Sequence, residues 1–85
     1  MGTNRAPAYP QSAMRRGDQG SVMLRVSVAA DGTPTEVDLA RTSGHPSLDT
    51  AALAAVRQWG FNPATQAGTP IPAIAEVPVR FRLEN

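Results

Sequence analysis

Between Val22 and Val28 every second residue is aliphatic: Val22, Leu24, Val26 and Val28 alternate with Met23, Arg25 and Ser27. Strand side chains point to opposite faces in turn, so this stretch buries one face and leaves the other wet, with Met23 as the one apolar exception. Wound as a helix, the same residues would scatter around the axis. A lone strand is not stable in water; it needs paired neighbours and a cover over its apolar face. The rest of an 85-residue chain has to supply both.

The pattern predicts a first strand over Ser21–Ala29. Ala30-Asp31-Gly32-Thr33 follows, and Asp-Gly is a strong short hairpin signal. A second strand over Pro34–Thr42 directs Val37 and Leu39 inward and Glu36 and Asp38 outward. Ser43-Gly44-His45-Pro46 breaks the alternation. Ser47 is placed to cap a helix over Leu48–Trp59, and Asp49 sits in its first turn, where the helix dipole favours negative charge. Leu48, Ala52, Val56 and Trp59 share one face of that helix, with Ala55 beside them, and Gly60 and Pro63 end it. Gln66–Pro72 reads as a loop and Ala73–Leu83 as the last strand, with Val77, Val79, Phe81 and Leu83 inward and Arg80, Arg82 and Glu84 outward. Ahead of all this, Arg5–Pro10 is extended, Pro10 opens a short helix over Gln11–Arg16, and Gly17 stops it.

The expected fold is α+β: a three-stranded antiparallel sheet in the order 2-1-3, one face covered by the long helix, plus the short N-terminal helix. In that order the last strand is an edge. Proline cannot donate to a ladder and favours edges, so Pro78 agrees with the placement. If Val77, Val79 and Phe81 bond the central strand, the backbones of Pro78, Arg80 and Arg82 turn outward. The free edge then offers the N–H groups of Arg80 and Arg82, with a gap at Pro78.

Several functions are disfavoured on composition. A chain this short has a small core. Cysteine is absent and histidine occurs once, so no metal site is expected. The longest apolar run, Ala51–Val56, is far short of the roughly 20 residues of a membrane helix. A net charge of +1 gives little reason to expect a nucleic-acid surface. Ser43, His45 and Asp49 cluster in sequence without an oxyanion hole or an activating geometry, and no cofactor motif occurs, so the chain is not expected to be an enzyme. Residues 1–6 read as a tail, with Met1-Gly2-Thr3 an appended expression start, and 7–85 as one domain.

The order of short motifs resembles the TonB C-terminal domain. The matching pieces are Tyr9-Pro10, Ala13, Gly17, Gly20, the Val22–Val28 strand with Asp31-Gly32, Ser43-Gly44-His45-Pro46, Leu48-Asp49 and Ala51-Ala52. Val56-Arg57-Gln58-Trp59-Gly60-Phe61-Asn62-Pro63-Ala64 is similar to the family's W-x-F-x-P-A segment, and Gly68-x-Pro70 and Val77-Pro78-Val79-Arg80-Phe81 complete a match from Pro7 to Leu83. The resemblance implies a periplasmic domain of an inner-membrane-anchored protein of Gram-negative bacteria. Such proteins are energised by inner-membrane proton-channel partners and engage outer-membrane receptors for siderophores, vitamin B12 and similar nutrients. In the family the receptor's TonB box adds as a strand to the last strand, here Ile74 to Leu83. The expected peptide-binding residues are Ile74, Glu76, Pro78, Arg80 and Arg82, joined by Arg5 and Ala8 from the arm before Tyr9-Pro10. Some members carry glutamine in that arm; this chain has none between Arg5 and Ala8. Two alternatives stand beside this reading: a homodimer paired through its edge strands, and a TonB-like adaptor for a partner outside transport.

Overall fold

The computed structural model describes residues 4–83. In chain order the elements are α1 (Gln11–Arg16), β1 (Gly20–Val28), β2 (Pro34–Arg41), α2 (Pro46–Val56), β3 (Ala64–Gln66), β4 (Thr69–Ile71) and β5 (Ala73–Phe81). β2, β1 and β5 form one antiparallel sheet in that order, as the alternation predicts, and β3 and β4 form a separate hairpin. Among the described residues no helix is long and apolar enough to cross a membrane.

β1 is the keel of the sheet. Val22, Leu24, Val26 and Val28 are all buried, each at 5% exposure or less. Across from them on β5 stand Val79, Val77, Ala75 and Ala73. Leu48, Ala52 and Val56 of α2 pack on this face, and Ala13 of α1 closes one end with Phe81. Burying one such aliphatic side chain stabilises the fold by about 1.5–3 kcal/mol, so β1 alone anchors much of a small core.

Four local expectations need correction. Ser47 does not cap α2. His45 is the N-cap, with Pro46 at the first helical position, which its fixed φ suits. Ser47 is drawn into the first turn, where its hydroxyl is unpaired among the described residues. α2 also ends at Val56, not Trp59: Gln58 and Trp59 donate to Ala55 and Val56, a tightening to i→i−3 bonds ahead of Gly60. Leu39 faces Leu24 in the register but stays 42% exposed, because β2 has no neighbour on its outer side. Finally, the segment read as a loop over Gln66–Pro72 contains a hairpin, with Gln66 paired to Thr69 and both turn residues at positive φ, Ala67 at 51° and Gly68 at 82°. Positive φ at both positions matches the right-handed twist of the flanking strands.

Two tight contacts hold the layers in register. At the β1–β2 turn Gly32 has φ +90°, and its carbonyl accepts the Phe61 N–H at 2.9 Å. A Cβ there would lie 2.1 Å from the Phe61 carbonyl oxygen, so the turn and the chain leaving α2 are in backbone-to-backbone contact that only glycine permits. At the other end of α2 the Asp49 carboxylate is 7% exposed and accepts from the Thr42 hydroxyl, the Ser43 N–H at 2.9 Å and the Ser43 hydroxyl at 2.8 Å. Burial pushes its pKa up, but the hydrogen bonds from Thr42 and Ser43 and the nearby His45 outweigh it and hold the carboxyl below its usual value.

Gly32→Ala is expected to lower unfolding stability by more than about 1 kcal/mol in urea titrations, since strain and a backbone clash act together. Asp49→Ala should cost about 1–3 kcal/mol by leaving the Thr42 and Ser43 donors unpaired. Because the folded-state pKa of Asp49 is lowered, its contribution is complete above the unfolded value near 3.9 and is lost as pH falls through the folded value. Denaturation measured from pH 7 down to 2 should therefore show a shallower acid limb in the Asp49→Ala protein than in the parent.

Candidate functional site

β5 is bonded to β1 along one side, and its other side is the free margin of the sheet. No backbone hydrogen bond outside the sheet involves Ala73–Phe81 among the described residues. An antiparallel ladder exchanges bonds at alternate pairs. Pro78, opposite Met23, has no N–H to give, so that pair falls at a non-exchanging position. Ile74, Glu76 and Arg80 share its phase. Their main-chain groups therefore turn away from β1 and leave the free margin with three N–H donors, at Ile74, Glu76 and Arg80, and carbonyls at those residues and at Pro78.

The side chains of these same residues stand on the sheet face away from α2. Ile74 is 68% exposed, and Glu76, Pro78 and Arg80 are also exposed. Glu76 meets Arg25 across the ladder at 3.6 Å, a pair in solvent. Arg82 lies one residue beyond the last ladder pair, Gly20 with Phe81, because the strand stops short of the predicted Leu83. Leu83 instead donates its N–H to the Gln19 side-chain oxygen at 2.7 Å, which draws the chain end back toward the start of β1.

The N-terminal arm is fastened at two ends. Tyr9 packs edge-on against Phe81, ring centres 5.4 Å apart, and its hydroxyl donates to the Asp18 carbonyl. Burial, then the nearby Asp18 carboxylate, push the phenol pKa up, so it remains a donor throughout the neutral range. At the other end the Trp59 indole N–H donates to the Arg5 carbonyl at 2.7 Å, while Asn4 exchanges hydrogen bonds with Gly60 at 2.9 and 3.0 Å. Between these fastenings a groove of about 580 Å³ separates Arg5 and Ala8 from Ala51, Ala54 and Ala55 of α2. Trp59 and Phe61 are half-buried at the core's margin, and Trp59 serves the arm. No pattern in the sequence signals this, because the partners are 54 residues apart.

His45 stands at the N-cap of α2, half-buried, with its ring 3.6 Å from the Asp18 carboxylate. The Ser43 hydroxyl reaches Asp49 and the His45 carbonyl rather than the imidazole, so the three form a structural cluster at the helix start.

A profile for the Gram-negative bacterial TonB protein C-terminal matches residues 5–83. The chain belongs to the TonB C-terminal family. Curated TonB relatives agree: tonB2 of Pseudomonas aeruginosa is 45% identical over 94% of this chain and 30% of its own length. TonB of Xanthomonas campestris is 43% identical over 91% of this chain and 34% of its own. TonB of Vibrio cholerae is 38% identical over 93% and 32%. The chain thus spans about a third of the TonB relatives it matches. The solution structure of the Helicobacter pylori TonB C-terminal domain superposes with a TM-score of 0.73 at 23% identity, over 93% of this chain and 83% of that one. At that identity the likeness speaks for a shared TonB fold.

Replacing Trp59 with Phe keeps the ring and removes the donor to Arg5. Heteronuclear NOE and order parameters of residues 5–8 are expected to fall toward the flexible range, below about 0.6, while those of β1 and β5 hold near 0.85.

Proposed function

We propose that this chain is the periplasmic receptor-binding domain of a TonB-type energy transducer, and that it holds the TonB box of outer-membrane receptors as a fourth strand on β5. The observation that carries the reading is the unpaired margin of β5, exposed along its length in a domain whose family is TonB. Strand addition takes its affinity from main-chain bonds and its selectivity from alternate side chains. Ile74, Glu76, Pro78 and Arg80 supply both here, Arg82 extends the row, and Arg5 and Ala8 on the arm add contacts beyond the strand. The full-length protein would be anchored in the inner membrane and energised there by proton-channel partners, in support of siderophore or vitamin B12 uptake.

The energetics suit a reversible grip. About five new main-chain bonds contribute roughly 3–7 kcal/mol at 0.5–1.5 kcal/mol each. Ordering a flexible peptide offsets roughly 2–5 kcal/mol of that. The remainder, about 1–2 kcal/mol mid-range and about 5 at most, corresponds to weak binding, of millimolar order only at its strongest, unless side chains add to it.

Titrating the ¹⁵N-labelled domain with a capped peptide carrying a receptor's TonB box should move amide signals most within Ile74–Phe81. Shifts confined to the Asp31-Gly32 turn, or a stable dimer in sedimentation with β5 protected, would contradict the reading. Arg80→Pro removes one outward donor without touching the β1 ladder. It should keep the folded spectrum and weaken the peptide roughly tenfold or more, the cost of a main-chain acceptor left unpaired.

A further inference from the structure

The sheet face away from α2 has a charge polarity along the strands. Cross-strand rows on this face follow from the register. The first holds Glu36, Ser27 and Ile74, and the second Asp38, Arg25 and Glu76. The third holds Arg41, Met23 and Pro78, and the fourth pairs Ser21 with Arg80. The first two rows carry three carboxylates and one guanidinium, net −2; the last two carry two guanidiniums and no carboxylate, net +2. From Ile74 to Arg80 the strand rises about 20 Å, at 3.4 Å per residue. The Debye length at physiological salt is about 8 Å, so an incoming strand meets the two ends as separate fields.

Along the free margin the contrast is sharper. Glu76 is already matched by Arg25 at 3.6 Å. Arg80 faces neutral Ser21, and its guanidinium is in no ion pair among the described residues. Ile74 offers an apolar neighbour at the opposite end. A strand laid against β5 places alternate side chains on this face, in line with Ile74, Glu76, Pro78 and Arg80.

Resting on the strand-addition reading above, we infer that the partner is an extended peptide read by the position of its charge. It carries an acidic side chain level with Arg80 and an apolar one, six residues away, level with Ile74. Arg80 is then the specificity residue of the margin, and the polarity of the face selects both the register and the direction of the added strand. A purely protective edge charge, which discourages any strand from pairing, would show no such positional preference.

The test uses three capped nonapeptides of alternating valine and threonine. Their second and eighth residues are both glutamine, or glutamate then glutamine, or glutamine then glutamate. Each is titrated into the ¹⁵N-labelled chain. One of the two glutamate peptides should bind about 1.4- to 5-fold tighter than the glutamine peptide, the range expected of a directly opposed charge pair, and the other should not. Arg80→Glu should abolish that preference and favour a lysine at the same peptide position, whereas Arg15→Glu on α1 should leave the ranking as it was. Equal binding of both glutamate peptides, or a ranking that survives Arg80→Glu, would overturn the inference while leaving strand addition in place. No β5 amide shift with any peptide would overturn both.

Discussion

The pairing of β1 with β5 is the constraint on which the rest depends. It runs over nine consecutive residue pairs, from Gly20 with Phe81 to Val28 with Ala73, and joins the start of the domain to its end. β1 supplies the four aliphatic side chains at the bottom of the core, and β5 returns after α2 to lie beside them. β1 lies between β2 and β5, so β5 is lateral, and among the described residues no strand bonds its second side, the β3–β4 hairpin standing as a separate sheet. An open margin is thus a consequence of building so small a sheet around one apolar strand.

That logic was legible before any coordinates. A period of two over Val22–Val28 specifies a strand with one buried face, Asp31-Gly32 specifies where it turns, and Pro78 specifies which strand lies at the side. The same alternation that buries Val79 and Phe81 puts Ile74, Glu76, Pro78 and Arg80 on the exposed face, and the structure has them there. Faces and neighbours follow from periodicity because burial is the largest favourable contribution and acts on whole patterns.

What was not legible depends on single bonds. Ser47 is a good cap by type, yet Pro46 takes the first helical position and moves the cap to His45. The β3–β4 hairpin carries no turn signal, because Ala67, a residue that rarely adopts positive φ, occupies half of its turn. Where α2 stops depends on a change of hydrogen-bond spacing at Gln58 and Trp59 that no side-chain pattern encodes. The fastening of the arm unites Asn4 and Arg5 with Trp59 and Gly60 across most of the chain, and only the folded geometry brings them together.

Pro78 has a further bearing on what the margin can become. Every strand laid there, whether foreign or from a second copy of the chain, must straddle a residue that offers a carbonyl but no N–H. The row of donors is split into a pair at Ile74 and Glu76 and a single one at Arg80. A ladder short of one bond at its middle holds a strand less firmly than a complete one. It also denies growing aggregates the unbroken backbone zipper from which fibrils are made.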